Sequence, residues 1–256
     1  MEIRADLPVS MPGLRAVRWT SDKLYEGLKD YFALGRIERG RCSFWGSGKA
    51  WESEPGCVQI KQPGDVHRDI AREGPTTWVV VVLSSDDIAR VRDDGRASLP
   101  GQLSVGDQQA TAFHRLFDAI DANTDRLALE VALAEAVSSF ARLRARPDYT
   151  RPVRRAMEYL HASWMETITL DDLARQADLD KFHLCRAFRA QIGMPPHAYL
   201  THLRITHAKQ LLRRGVRASE VAPRVGLYDQ AQLTRHFRRI VGTTPARYPR
   251  ERRAER

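Results

Sequence analysis

Two stretches in the last third of this 256-residue chain repeat one pattern, and a fold has to accommodate both copies. Leu179-Asp-Lys-Phe-His-Leu184-Cys-Arg186-Ala-Phe188-Arg189 is matched by Leu227-Tyr-Asp-Gln-Ala-Gln-Leu233-Thr-Arg235-His-Phe237-Arg238. The tails Ile192-Gly193-Met-Pro-Pro196-His-Ala-Tyr199 and Val241-Gly242-Thr-Thr-Pro245-Ala-Arg-Tyr248 follow in step. From Leu184 and Leu233 onward the offset is 49 residues; upstream, where Leu173-Ala174 and Ala177 align with Val221-Ala222 and Val225, it is 48. The inserted residue falls in a turn, so both copies keep their helices. Two copies of a helix, a turn and a second helix with a basic exposed face point to two DNA-reading heads.

The charge distribution agrees. From Pro147 onward there are 21 Lys/Arg against 11 Asp/Glu, whereas residues 1–146 hold 20 against 21. A basic second half beside a near-neutral first half fits one module for a polyanion and another for a different partner. Composition of 43% hydrophobic and 29% charged residues is that of a folded chain long enough for two domains.

Cys42, Cys57 and Cys185 are too few and too scattered for a disulfide framework or a metal-binding pair, which fits a reducing compartment. The first residues carry no apolar stretch of signal length. The longest apolar run, Trp78 to Leu83, is too short to span a bilayer, so the expected location is cytoplasmic, with no membrane partner.

Residues 31–83 read as short strands broken by turn residues: Tyr31 to Glu38, Arg41 to Trp45, Lys49 to Glu54, Cys57 to Lys61 and Trp78 to Leu83. Such spacing predicts a small barrel or sandwich. The last run is apolar on both faces and should be a central strand. Pro63-Gly64-Asp65-Val-His67 reads as a tight turn into a strand. These glycine-rich hairpins followed by Pro-Gly-Asp-x-x-His resemble a cupin barrel. Metal-dependent cupins use paired His-x-His ligands; here Arg68 and Asp69 follow His67, so no metal site is expected. His67, Asp69 and Glu73 read instead as solvated groups around a turn.

A barrel without catalytic ligands can hold a small molecule in an apolar interior. The expected lining is aromatic, with Tyr31, Phe44, Trp45, Trp51 and Trp78, and with Arg36, Glu38 and His67 as polar anchors. Ordinary core packing is the competing role for each of these aromatic residues.

Between residues 105 and 145 the period changes. Phe113, Leu116, Phe117 and Ile120, then Leu127, Val131, Ala134, Val137 and Phe140, recur at three and four, which predicts two helices separated by Asn123-Thr124-Asp125. Their stripes must be buried against the barrel or a second copy of the chain. Arg142 to Tyr149 reads as a linker.

In the repeat, Thr169 and Asp180 are expected helix caps. Leu184 and Phe188 face inward, leaving Lys181, Phe182, Cys185, Arg186 and Arg189 outside. Pro195-Pro196 opens a long helix ending near Arg214-Gly215. At ~1.5 Å per residue, about 18 residues span roughly 27 Å, enough with side offsets to set two heads about one DNA turn, roughly 34 Å, apart.

Residues 150–250 resemble the double helix-turn-helix domain of AraC/XylS-type transcription regulators, most closely in Phe237-Arg-Arg-Ile-Val-Gly242-Thr-Thr-Pro245-Ala-Arg-Tyr248. The first-half barrel resembles that family's effector-binding domain. The resemblance implies major-groove insertion of Phe182, Cys185 and Arg186 from the first head and Gln230, Gln232, Thr234 and Arg235 from the second. Arginine to guanine and glutamine to adenine are the matching pairings, with phosphate clamping as the competing role for each arginine. Arg189, Lys209, Arg213, Arg214, Arg238 and Arg239 are expected to form the phosphate-facing or general basic complement, and Lys181 is a further DNA-binding candidate on the exposed face of the first reading helix. Pro223 departs from the pattern. With Ser219 as cap it would be the fourth helical residue, so the second positioning helix is expected to start late or bend.

The expected fold is α+β: a cupin-like barrel over 1–104, a helical dimerisation pair over 105–146, and an all-α double helix-turn-helix domain over 147–256. The expected partners are double-stranded DNA, a small-molecule effector, a second copy of the chain and RNA polymerase, with no cofactor and no catalytic residue. A cupin-type metal enzyme with a DNA-binding appendage, and a ligand-independent DNA-binding dimer, are the alternatives.

Overall fold

A computed structural model describes residues 2–91, 99–143 and 149–248. The chain divides into two units, Met1–Asp148 and Tyr149–Arg256. The first is built on two antiparallel sheets and the second is helical throughout its described residues, giving the α+β class expected.

The larger sheet has the order β1-β2-β9-β4-β7-β10, comprising Glu2–Asp6, Arg15–Ser21, Thr76–Leu83, Phe32–Arg39, Val58–Lys61 and Gln102–Leu103. The smaller has the order β3-β8-β5-β6, comprising Glu26–Leu28, Val66–Arg72, Cys42–Gly46 and Lys49–Ser53. β9 lies between β2 and β4, as its two-sided apolar sequence requires. β1 and β2 carry no alternating apolar signal strong enough to read; β2 is ordered by pairing along β9, with Trp19 opposite Trp78, and β1 by pairing along β2.

The apolar core of this unit lies outside the pair of sheets. Leu34 on β4, Val58 and Ile60 on β7, and Val79, Val81 and Leu83 on β9 pack with helices α1 (Ser85–Val91), α2 (Thr111–Asp121) and α3 (Arg126–Ser139). α2 contributes Phe113, Leu116, Phe117 and Ile120 as its spacing predicts. α3 inserts Leu129, Ala132 and Ala136; of the expected stripe, Phe140 is buried in the core and Val137 packs against it, whereas Leu127 and Val131 face outward, 70% and 52% exposed. Asp125 caps α3 by accepting from the Ala128 amide at 3.0 Å. Of the linker expected over Arg142 to Tyr149, residues 144–148 lie outside the described residues.

The second unit comprises α4 (Arg151–Ala162), α5 (Leu170–Ala177), α6 (Lys181–Ile192), α7 (Pro196–Arg213), α8 (Ala218–Arg224) and α9 (Gln230–Val241). α4 lies ahead of the first copy of the repeat. Its Val153, Ala156 and Leu160 are buried. α7 is shared between the copies. Tyr199 meets Phe188 of the first copy, while Ile205, Ala208 and Leu212 join Val221, Leu233 and Phe237 of the second.

Candidate DNA interface and barrel cavity

The first head is firmly capped. Thr169 and Asp172 form a reciprocal capping box at α5. Asp178 takes the left-handed conformation in the turn (φ 55°). Asp180 accepts from the Phe182 and His183 amides at 2.9 and 3.0 Å, starting α6. Leu184, Phe188 and Ile192 point into the core, so helical geometry leaves Lys181, Phe182, Arg186 and Arg189 exposed and Cys185 half-buried. Lys181 pairs with Asp171 at 3.3 Å. Phe182 is 73% exposed, a placement that burial of apolar surface does not explain.

In the second head the turn residue is Gly226 at φ 70°, where an added Cβ would sit 2.5 Å from the Met165 carbonyl oxygen. Glycine is needed there for both reasons. Asp229 caps α9 through the Gln232 amide at 2.6 Å, and Gln232 Oε1 accepts from the Tyr228 amide at 2.8 Å. Gln232 therefore serves the helix start, a role that its expected base contact did not include. Gln230, Arg235 and Arg238 are exposed; Gln232 and Thr234 are half-buried. Tyr228 is 93% exposed beside them. Its place one residue before the aspartate cap is the sequence signal that marks it.

Ser219 is not the cap of the second positioning helix. α8 begins at Ala218 with Arg217 in the cap position and no side-chain cap bond. Pro223 consequently lies in the last turn of a seven-residue helix, and the helix does not start late. The Val225 amide closes the end on the Val221 and Ala222 carbonyls at 3.1 and 3.2 Å.

The first unit holds a cavity of about 120 Å³ between the sheets, walled by Trp19, Tyr25, Lys29, Tyr31, Gln59, Lys61, His67, Asp69, Arg72, Trp78 and Val80. Tyr31, His67 and Trp78 are the sequence candidates it brings together. Arg36 and Glu38 do not point inside. Residue alternation along β4 puts them on the helix-facing side, where Arg36 binds Asp118 at 2.6 Å and also Asp121, and Glu38 binds Arg18 at 2.8 Å. Trp45 and Trp51 are not among the cavity's walls. The Trp51 indole donates to the Gly46 carbonyl at 2.8 Å. The Trp45 Nε1 is buried with no hydrogen-bond partner among the described residues. Phe44 stacks on His67 at 4.7 Å.

The interior is also more polar than expected, and His67 and Asp69 are not solvated turn residues. Both lie buried on β8, 3.0 Å apart. Asp69 additionally binds Arg72 and accepts from the Tyr25 amide at 2.9 Å. Burial pushes the His67 pKa down to about 3, and Lys29 and Lys61 act in the same direction against the Asp69 hydrogen bond. Burial alone would raise the Asp69 carboxyl; hydrogen bonds from His67 and Arg72 outweigh it and hold the group well below the usual carboxylate range. A neutral imidazole thus donates to an ionised carboxylate. Burial also lowers the Lys61 pKa, with Asp69 opposing. Among the described residues no cluster of three or more His, Cys, Asp or Glu side chains is arranged to hold a metal.

Residues 173–251 match the family model described as a helix-turn-helix domain, and residues 14–137 match that of the AraC-like ligand binding domain. The chain belongs to the AraC family of transcription regulators. Among similar proteins, the uncharacterized HTH-type transcriptional regulator YbfI of Bacillus subtilis is 29% identical over 217 residues, covering 80% of this chain and 79% of that one. The lactose operon transcription activator of Staphylococcus xylosus is 28% identical over 86 residues, 33% of this chain and 31% of that protein. Apo ToxT from Vibrio cholerae shares the fold at a TM-score of 0.54 and 10% identity, with 94% of this chain and 98% of that one covered. No helix among the described residues of this AraC-type chain is long and apolar enough to cross a membrane.

Proposed function

We propose that this regulator reads double-stranded DNA with α6 and α9 and that a small molecule in the barrel cavity controls the reading. The carrying observation is the equivalence of Arg186 and Arg235, and of Arg189 and Arg238. Each pair is separated by the repeat offset, and all four side chains are exposed on the outer faces of the two capped helices. An exposed guanidinium near the start of such a helix can chelate a guanine edge, and one a turn later can clamp phosphate. Lys181, Phe182, Cys185, Gln230, Gln232 and Thr234 complete the two candidate reading surfaces.

Footprinting and gel shifts across the DNA upstream of the protein's own gene test this assignment. Arg186→Ala and Arg235→Ala should each lose sequence preference; unchanged site choice and salt dependence in both would overturn it. The exposed Leu127 and Val131 on α3 support pairing of two chains through that helix. RNA polymerase is the further partner expected of an activator. Regulators of this family generally have no catalytic activity, and metal analysis of the purified protein tests the cupin-enzyme alternative: one equivalent per chain would favour it.

A further inference from the structure

The segment between α4 and α5 belongs to the first head by sequence and to the second by packing. Trp164 lies against the second copy's core, where Ala208, Leu212, Val221, Leu233 and Phe237 meet. Its indole is stacked on the His207 ring of α7 at 3.7 Å, with 5° between the planes. The next residue reaches the turn of the second head: a Cβ added at Gly226 would meet the Met165 carbonyl oxygen at 2.5 Å and the carbonyl carbon at 2.9 Å. Four residues after Met165, Thr169 caps α5 and the first head begins.

Arg204 ties this segment to the middle of α7. Its Nε donates to the Trp164 carbonyl at 2.8 Å and its Nη2 to the Glu166 carbonyl at 2.6 Å. Carbonyls of an irregular segment need such partners, because no helix or strand ladder supplies them. The planar guanidinium fork spans two acceptors that a compact ammonium would not. Arg204 and His207 are three residues apart on one face of α7, so that face grips the segment at two points. Without this grip the heads would be joined through α7 alone, whose ends adjoin the left-handed glycines Gly193 and Gly215. A second tie, from the entry of the first head to the turn of the second, removes relative rotation that one helix leaves open.

We propose that residues 164–166 are a strap fixing the spacing and phase of α6 and α9, with Arg204 as the positioning residue that holds it. The proposal rests on the reading of α6 and α9 as the DNA-reading helices. Its consequence is selectivity for spacing. One base pair more or less between the two contacted segments moves the second by about 3.4 Å along the duplex and about a tenth of a turn around it. Strapped heads do not follow that shift; heads joined by α7 alone do.

The test uses the full chain and the DNA protected upstream of its own gene, with one base pair inserted or deleted between the segments at which Arg186→Ala and Arg235→Ala relax preference. The parent should bind the native spacing at least tenfold more tightly than either altered one, and in Arg204→Met this ratio should fall below threefold. Arg204→Lys, which keeps the charge and loses the fork, should lower the ratio as well. His207→Ala removes the stack on Trp164 with Arg204 in place; it should act in the same direction, and it covers the case in which Arg204→Met does not fold. No spacing preference in the parent would overturn the strap. So would a tenfold ratio kept in Arg204→Met or Arg204→Lys, because an equal loss on every DNA marks stability or charge alone. A second readout needs no DNA: spin labels on Ala190→Cys and Ala231→Cys, in a Cys185→Ser background diluted with unlabelled chain, report the distance between α6 and α9. Arg204→Met should at least double the width of that distance distribution, and an unchanged width overturns the strap. If Arg186→Ala and Arg235→Ala leave site choice unchanged, the DNA reading fails and the label distances still decide the strap.

Discussion

Phe237 meets Tyr248 edge-on at 5.3 Å, and the same contact joins Phe188 to Tyr199 at 5.8 Å, one repeat offset earlier. The recurrence shows that the sequence repeat is a packing repeat. The two tyrosine hydroxyls differ: Tyr199 Oη lies 2.8 Å from His161 Nε2, whereas Tyr248 Oη is buried with no partner among the described residues. Tyr199→Phe should therefore cost about 1 kcal/mol, and Tyr248→Phe should be neutral or stabilising. Denaturant unfolding of the two variants checks this; equal losses would contradict it.

Gly226→Ala should destabilise the second head by more than about 1 kcal/mol, because φ is positive and the new methyl meets the Met165 carbonyl. Pro223→Ala should act oppositely, restoring an amide donor within α8, and DNA affinity should be unchanged or tighter. A large loss of affinity in Pro223→Ala would show that the proline is needed for the geometry of the head.

Arg189→Ala and Arg238→Ala are expected to weaken binding to all sequences alike and to lower the salt slope by about 0.9 for each phosphate contact removed. Arg186→Ala and Arg235→Ala should instead cost roughly 1–3 kcal/mol at the cognate site and relax preference at one base pair. Gel shifts at several salt concentrations, on cognate and scrambled DNA, separate the two patterns.

Acid should destabilise the first unit. The His67 pKa is near 3 in the fold and 6.5 in the unfolded chain, so the unfolded state binds more protons between those values. Its contribution is complete above pH 6.5 and is lost as the pH falls toward 3, by at most about 1.4 kcal/mol per pH unit. Asp69, also depressed, adds its loss below its ordinary value of 3.8. His67→Gln should flatten the fall in melting temperature between pH 6.5 and 5. Because His114 and His202 are shifted the same way, the informative quantity is the difference between variant and parent.

Leu127→Glu with Val131→Glu should leave the melting temperature of a monomer nearly unchanged, since both side chains stand outside the core. Sedimentation equilibrium should show a shift from dimer to monomer, and affinity for paired DNA sites should fall. An unchanged dimer would place the interface elsewhere.

The second unit was largely legible before the structure because its signals are local. The caps Thr169 and Asp180, the inward Leu184 and Phe188, and the turn at Gly215 each act within a few residues, and the repeat let one copy check the other. The sequence could not show that Ser219 lies past the true start of α8, because cap preference competes with packing of Val221 and Ala222. Nor could it show that Gln232 is drawn back to the Tyr228 amide.

In the barrel the strands were legible and their faces were not. Alternation in β4 separates Leu34, Arg36 and Glu38 from Ala33, Gly35 and Ile37, but it cannot say which set faces the helices. That depended on α2 presenting Phe117, Asp118 and Asp121 to the outer face, which bound Arg36 there and left the inner face to Lys61, His67 and Asp69. The sequence by itself determined two basic reading heads and a β-rich partner unit, because charge, period and capping are properties of neighbours along the chain. Only the tertiary structure decided that the space between the sheets is polar, because burial, ion pairing and the protonation of His67 depend on residues from β2, β7, β8 and β9 that meet only on folding.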